Sequence, residues 1–237
     1  MSTLRIYNVR IQVKEIEKLR VGIIGSSGGS VLREVLSNLN DTYFEFIAVT
    51  DRGCGVENVC KEFSVHHLRI VDQDNDSFSK KAFSVFNEAG GVDFVLLYFA
   101  RIVTRALFSH FPTYNIHPSL LPAYKGFNAI EKAYKDGVKY IGATLHRVNE
   151  NIDNGPILAQ IVAPVSPLYN LAEFRHISFY QKTYLTYLLF DLAKKDQLSD
   201  TSSLPISFNN ISNPCLENTN YLRALDQIRY SQDMTEG

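Results

Sequence analysis

The chain has no tryptophan, only three cysteines, almost no net charge and no apolar stretch long enough to cross a bilayer. Cys54, Cys60 and Cys215 are too few and too scattered for a disulfide framework, and no Cys-x-x-Cys or Cys/His cluster shows zinc spacing. The adjacent His66 and His67 point to opposite faces on an extended chain and do not share a metal. This cysteine usage predicts a reducing, cytoplasmic setting. The longest hydrophobic run, Phe94 to Ala100, is far too short for a membrane span, and the N-terminus lacks a signal-like apolar core. Formal net charge is −1, and no basic run exceeds two residues, so neither a nucleic-acid polymer nor an anionic membrane is an expected partner. What is present is an ordinary globular composition, 45% hydrophobic and 21% charged over 237 residues, enough to bury a sizeable core.

Residues 1–18 carry an alternating pattern at Ile6, Tyr7, Val9, Ile11 and Val13, read as an N-terminal extension with an edge strand. Leu19 to Ile24 is an apolar strand run entering Gly25-Ser26-Ser27-Gly28-Gly29-Ser30, and Val31 to Leu39 then has helical spacing. A strand, a glycine-rich turn and a helix head form a seat for an anion over Ser27, Gly28, Gly29 and Ser30. The same pattern also suits a tight connection with Ser30 as helix cap. Phe44 to Thr50 is the next strand, followed by Asp51, where a nicotinamide enzyme places an acid for its ribose. Positions 25, 27 and 30 are Gly, Ser and Ser rather than three glycines, which argues against a dehydrogenase.

Val56 to Phe63 reads as a helix, His67 to Val71 as a strand and Phe78 to Ala89 as a helix closed by Gly90-Gly91. Val92 to Ala100 is the continuous apolar run of a strand buried on both faces, and Arg105 to Phe111 is a short helix. Asn128 to Lys135 and Asn170 to Lys194 are helical, while Tyr140 to Val148 and Ile157 to Val165 pair as antiparallel strands. The fold class is α/β: a Rossmann-like, mostly parallel twisted sheet with helices on both faces and an antiparallel extension at one end.

Thr113 to His117 is a short extended run stopped by Pro118 and Pro122. Asn115 and His117 are two apart and share one face. A polar loop from Asn149 to Gly155 carries Asp153 and can return to that strand end. An amide, an imidazole and a carboxylate, with no nucleophile among them, suit attack by a substrate amine on a carbonyl carbon: a donor for the oxyanion, a proton carrier and a group that orients it. The bland reading is a histidine that is merely hydrogen-bonded.

Asn-Ile-His-Pro-Ser-Leu-Leu-Pro at 115–122, Gly126, Gly-Ala-Thr-Leu-His at 142–146 and Asp-Asn-Gly-Pro-Ile at 153–157 resemble the phosphoribosylglycinamide formyltransferase family. The similarity runs from about Leu19 to Leu189. It implies a formyltransferase domain over 19–195; from Asp196 to Gly237 the chain turns polar, only Tyr221 to Tyr230 looks helical, and the segment reads as a C-terminal tail over 196–237, packed along the surface or partly disordered. The resemblance implies transfer of a formyl group from 10-formyltetrahydrofolate to an amine, with Asn115, His117 and Asp153 catalytic and His146 near the site. The folate would lie against Arg101, Ile102, Val103, Asn151 and Ile152, and the acceptor's phosphate on Ser27, Gly28, Gly29 and Ser30. No metal is required, and the acceptor is a small, phosphorylated amine.

Two departures stand out. Val31 replaces a usual asparagine, and the family's glycinamide-contacting helix glutamate aligns with Tyr180 or Gln181. Glycinamide ribonucleotide is the leading acceptor. An amino-sugar nucleotide, hydrolysis as in formyltetrahydrofolate deformylases, and a non-catalytic folate- or nucleotide-binding module are the alternatives. Nothing in the sequence sets an oligomeric state.

Overall fold

The computed structural model describes residues 18–39, 43–198 and 211–233, so the alternating segment from Ile6 to Val13 lies outside the described residues. The strands are β1 (Leu19–Gly25), β2 (Phe44–Thr50), β3 (His66–Arg69), β4 (Phe94–Tyr98), β5 (Thr113–His117), β6 (Tyr140–Arg147), β7 (Ile157–Pro164) and β8 (Ser212–Asn213). The helices are α1 (Ser30–Asn38), α2 (Gly55–Glu62), α3 (Asn75–Glu88), α4 (Arg105–Phe108), α5 (Ala129–Lys135), α6 (Leu171–Lys194) and α7 (Thr219–Asp233).

Among the described residues the strands form a single sheet in the order β3-β2-β1-β4-β5-β6-β7-β8. It is parallel from β3 through β5 and antiparallel from β5 to β8. The chain reverses its direction of winding between β1 and β4, and the carboxyl ends of those strands open a crevice of the kind in which α/β sheets bind ligands.

Side-chain alternation sorts the parallel strands onto two cores. Val21, Ile23, Phe94, Leu96, Tyr114 and Ile116 face a layer made by α1, α2, α6 and α7. Ile24, Ile47, Val49, Val95 and Leu97 face α3 and α4. This double burial explains why β1 and β4 read as unbroken apolar runs. Helix α3 begins at Asn75, earlier than the hydrophobic spacing suggests, because Asp74 caps it by accepting the Ser77 N–H at 2.7 Å.

The glycine turn corrects one expectation: Ser30 is the first residue of α1, and the capping position belongs to Gly29, whose φ of 76° is left-handed. No side chain caps this helix.

The surface tail expected over 196–237 is also corrected for 211–233. Ser212–Asn213 adds to the free edge of β7, and the Tyr184 hydroxyl lies 2.6 Å from Ser212 Oγ while accepting the Leu216 N–H at 2.8 Å. Leu216, Tyr221, Ala224, Leu225 and Ile228 are buried in the main core, with Tyr221 stacked on Tyr187 of α6 at 4.7 Å between centroids. The polar composition misled because only one stripe of α7, at positions 221, 224, 225 and 228, is apolar.

Candidate active site

Strand β5 delivers Asn115 and His117 to one face, as its period requires. In register, Asn115 lies between Leu97 of β4 and His146 of β6, and His117 lies opposite Thr144. Past His117 the chain turns through Ser119 and Leu121, and Thr144 fixes that turn. Its hydroxyl donates to the Ser119 carbonyl at 2.7 Å and accepts from the Leu121 N–H at 3.1 Å and from Gln160 Nε2 at 3.0 Å. Thr144 is fully buried, so these bonds form away from competing water.

Asp153 returns on the β6–β7 connection. Gly155 makes this return possible, because a side chain there would collide with the Arg147 carbonyl. Asp153 adopts a left-handed φ of 46°, an unusual backbone for a residue with a side chain. Its Oδ2 lies 3.3 Å from His117 Nδ1 and accepts the Gly126 N–H at 2.8 Å, and its Oδ1 lies 3.5 Å from His146 Nε2. Of the three residues picked from sequence, His117 and Asp153 are therefore in direct contact, and Asn115 joins them through His146.

Both nitrogens of His117 face acceptors, because Nε2 donates to the Tyr124 carbonyl at 2.8 Å while Nδ1 faces Asp153. His146 Nδ1 donates to the Arg147 carbonyl at 3.2 Å. That leaves its Nε2 between Asn115 Nδ2 at 3.2 Å and Asp153 Oδ1 at 3.5 Å, within reach of both. His146 thus sets the direction of the Asn115 amide. Burial pushes the Asp153 carboxyl up, but His146, the Gly126 N–H and His117 together outweigh it and hold the group below the ordinary aspartate value.

These residues line a cavity of about 480 Å³ that also takes in Ser27, residues 97–103, residues 148–152, Phe127 and Lys182. Arg101, Ile102, Val103, Asn151 and Ile152 all reach it. The Arg101 guanidinium is not solvated, and α4 instead starts at Arg105 behind a Thr104 cap. Its Nη1 donates to the Asp72 carbonyl at 2.6 Å, its Nη2 to Asn75 Oδ1 at 2.8 Å, and it lies 5.4 Å from the Phe78 ring centre. Arg101 thus offers the cavity mainly its backbone. No described residue accepts the backbone N–H groups of Arg101, Ile102 or Val103, which leaves an open edge suited to a planar heterocycle. Asp51 is buried against Arg52 and Arg101 and is not free to hold a ribose.

Of the glycine turn, Ser27 alone lines the cavity; Gly28, Gly29 and Ser30 do not. The turn also serves packing, since a side chain on Gly55 would strike the Gly28 carbonyl and the Val56 N–H donates to the Ser27 carbonyl at 3.3 Å. Tyr180 packs against the core and Gln181 is buried, so neither lines the cavity; from α6 only Lys182 does. Sequence reasoning passed over Lys182, although it is the single Lys, Arg, Asp or Glu between Arg175 and Asp191. Among the described residues no group of three or more His, Cys, Asp or Glu side chains is arranged to hold a metal ion.

A sequence profile described as formyl transferase matches residues 19–176. A phosphoribosylglycinamide formyltransferase of Mycobacterium tuberculosis is 35% identical over 153 residues, 62% of this chain and 71% of that protein. A mitochondrial formyltetrahydrofolate deformylase 2 of Arabidopsis thaliana is 38% identical over 116 residues, 47% of this chain and 33% of that protein. The crystal structure of a phosphoribosylglycinamide formyltransferase from Anaplasma phagocytophilum superimposes with a TM-score of 0.70 at 28% identity, covering 76% of this chain and 89% of that one. With the profile spanning most of the sheet and every member of the Asn115–His117–Asp153 cluster, the chain belongs to the formyl transferase family.

Proposed function

We propose that this 10-formyltetrahydrofolate-dependent formyltransferase passes the formyl group to the primary amine of glycinamide ribonucleotide. The observation that carries the reading is the convergence of Asn115, His117 and Asp153 on one cavity wall, 3.3 Å separating the imidazole from the carboxylate. The folate supplies an activated formyl carbon, and the open backbone edge at 101–103 and the loop at 151–152 fit its heterocycle. Attack by the amine makes the C–N bond and puts negative charge on the formyl oxygen. Asn115 Nδ2, held by His146, is placed to donate to that oxygen, and His117 joins it once its Nε2 hydrogen passes from the Tyr124 carbonyl to the ligand. Asp153 keeps His117 oriented and balances positive charge on the ring as a proton passes from the attacking nitrogen toward the departing one. No covalent enzyme intermediate is needed.

The relatives named deformylases carry the second reading, in which water takes the place of the amine. The two differ in one measurement. Purified protein with 10-formyltetrahydrofolate should release tetrahydrofolate rapidly only when glycinamide ribonucleotide is added, with formylated amine as the second product. Release at the same rate without any amine would establish the hydrolytic reading, and turnover confined to an amino-sugar nucleotide would reassign the acceptor.

A further inference from the structure

Among the described residues, Lys182 is a cation without a counter-ion inside the cavity. Its neighbours on α6, Gln181, Thr183, Tyr184 and Leu185, are all buried. Its ammonium makes no hydrogen bond or ion pair with any described residue. Both carboxylates of the cavity wall are engaged elsewhere: Glu150 accepts from Arg105 at 2.8 Å, and Asp153 faces the two imidazoles. Arg101, the other non-imidazole cation of the wall, is tied to Asp72 and Asn75. A partly desolvated ammonium with no partner is costly, and burial lowers its pKa, so an anion arriving with the ligand would relieve it.

The position of Lys182 is set by a relay of hydrogen bonds. Its carbonyl accepts from Thr186 Oγ1 at 2.9 Å, Thr186 Oγ1 lies 3.2 Å from the Tyr98 hydroxyl, and the Tyr98 carbonyl accepts the Ser26 N–H at 3.0 Å. This turn of α6 is therefore tied through the end of β4 to the glycine turn, whose Ser27 lines the same cavity. Helix α1 begins there with no side-chain cap and no acidic residue in its first turn, so its head keeps its positive end open among the described residues.

We propose that Lys182 is a specificity-determining residue that seats a phosphate group of the acceptor on the Ser27 side of the cavity. The assignment rests on the formyl-transfer reading for the identity of the ligand but not for the presence of an anion seat. Phosphate on the acceptor and carboxylates on a folate tail share the chemistry that an ammonium recognises. Ser27 and Lys182 line the same cavity, Ser27 ahead of α1 and Lys182 on α6, two helices that pack on each other, whereas the open edge at 101–103 lies between β4 and α4, which favours the acceptor.

The test titrates inorganic phosphate, and separately tetrahydrofolate, into the parent protein and into Lys182→Met, Lys182→Gln and Lys182→Arg, with melting curves to confirm folding. Phosphate should bind about 10- to 100-fold more weakly to the two neutral variants, Arg should restore it to within about threefold, and tetrahydrofolate affinity should not move. In steady state the same neutral variants should raise KM for the phosphorylated amine by that factor with kcat near the parent's. Equal phosphate affinity in parent and neutral variants would overturn the assignment, as would a loss that falls on tetrahydrofolate instead. Should no amine accept a formyl group while phosphate binding still depends on Lys182, the transfer reading fails and the anion seat stands.

Discussion

Asn115 carries the largest single expectation at the scale of the residue. Asn115→Ala should lower kcat by about 10²- to 10³-fold, the usual effect of removing one oxyanion donor, with an unchanged circular dichroism spectrum. Asp153→Asn keeps the shape but loses the charge facing both rings, and single-turnover formyl transfer should slow by about 10²-fold or more. A second carboxylate reports on stability. Glu57 accepts from Arg69 Nε at 2.7 Å and from the Thr50 hydroxyl at 2.7 Å, and the Arg69 guanidinium holds its carboxyl down to about 2. Because the folded pKa lies below the unfolded one, ionised Glu57 stabilises the fold above the ordinary glutamate value of about 4.5, and that contribution is lost as pH falls toward 2. Chemical unfolding of parent and Glu57→Gln should therefore differ at neutral pH and converge in acid. A gap that stayed constant down to acid would contradict the ion pair.

At the scale of the element, the active-site strand depends on its supports. Thr144→Val removes the hydroxyl that joins the Leu121 N–H, the Ser119 carbonyl and Gln160 Nε2 and leaves the first two with only each other, at 3.2 Å, which should cost about 1–3 kcal/mol and loosen the turn after His117. Both melting temperature and kcat should fall. A variant with parental melting behaviour would show that the turn holds without Thr144. Helix α7 makes a stronger case. Each buried apolar side chain it adds to the core contributes about 1.5–3 kcal/mol, so a chain ending at residue 210 should melt about 10 °C lower or fail to fold. The pattern of apolar residues at 221, 224, 225 and 228 was visible in the sequence. Which face of the molecule would receive that stripe was not, because the acceptor surface on α6 is assembled from residues far away in the chain.

At the scale of the whole molecule, the sheet order places the residues proposed to react. Reversal between β1 and β4 opens the crevice, β5 and β6 set Asn115 against His146, and α6 brings Lys182 to the same cavity. The expected outcome for the intact enzyme is amine-dependent release of tetrahydrofolate, and loss of that dependence would return the molecule to the hydrolytic reading. The Asn-x-His strand and its face were readable because a period of two leaves no choice. Arg101 was readable as a wall residue but not as a clamp on Asp72 and Asn75, since three separate connections meet there.

The sequence alone determined the alternation of strands and helices and the common face of Asn115 and His117, both of them local consequences of backbone geometry. Tertiary structure decided the rest. It turned Asp153 onto two imidazoles, built the C-terminal stripe into the core and left Lys182 in the cavity with no partner among the described residues. These are distances between residues remote in the chain, and only packing fixes such distances.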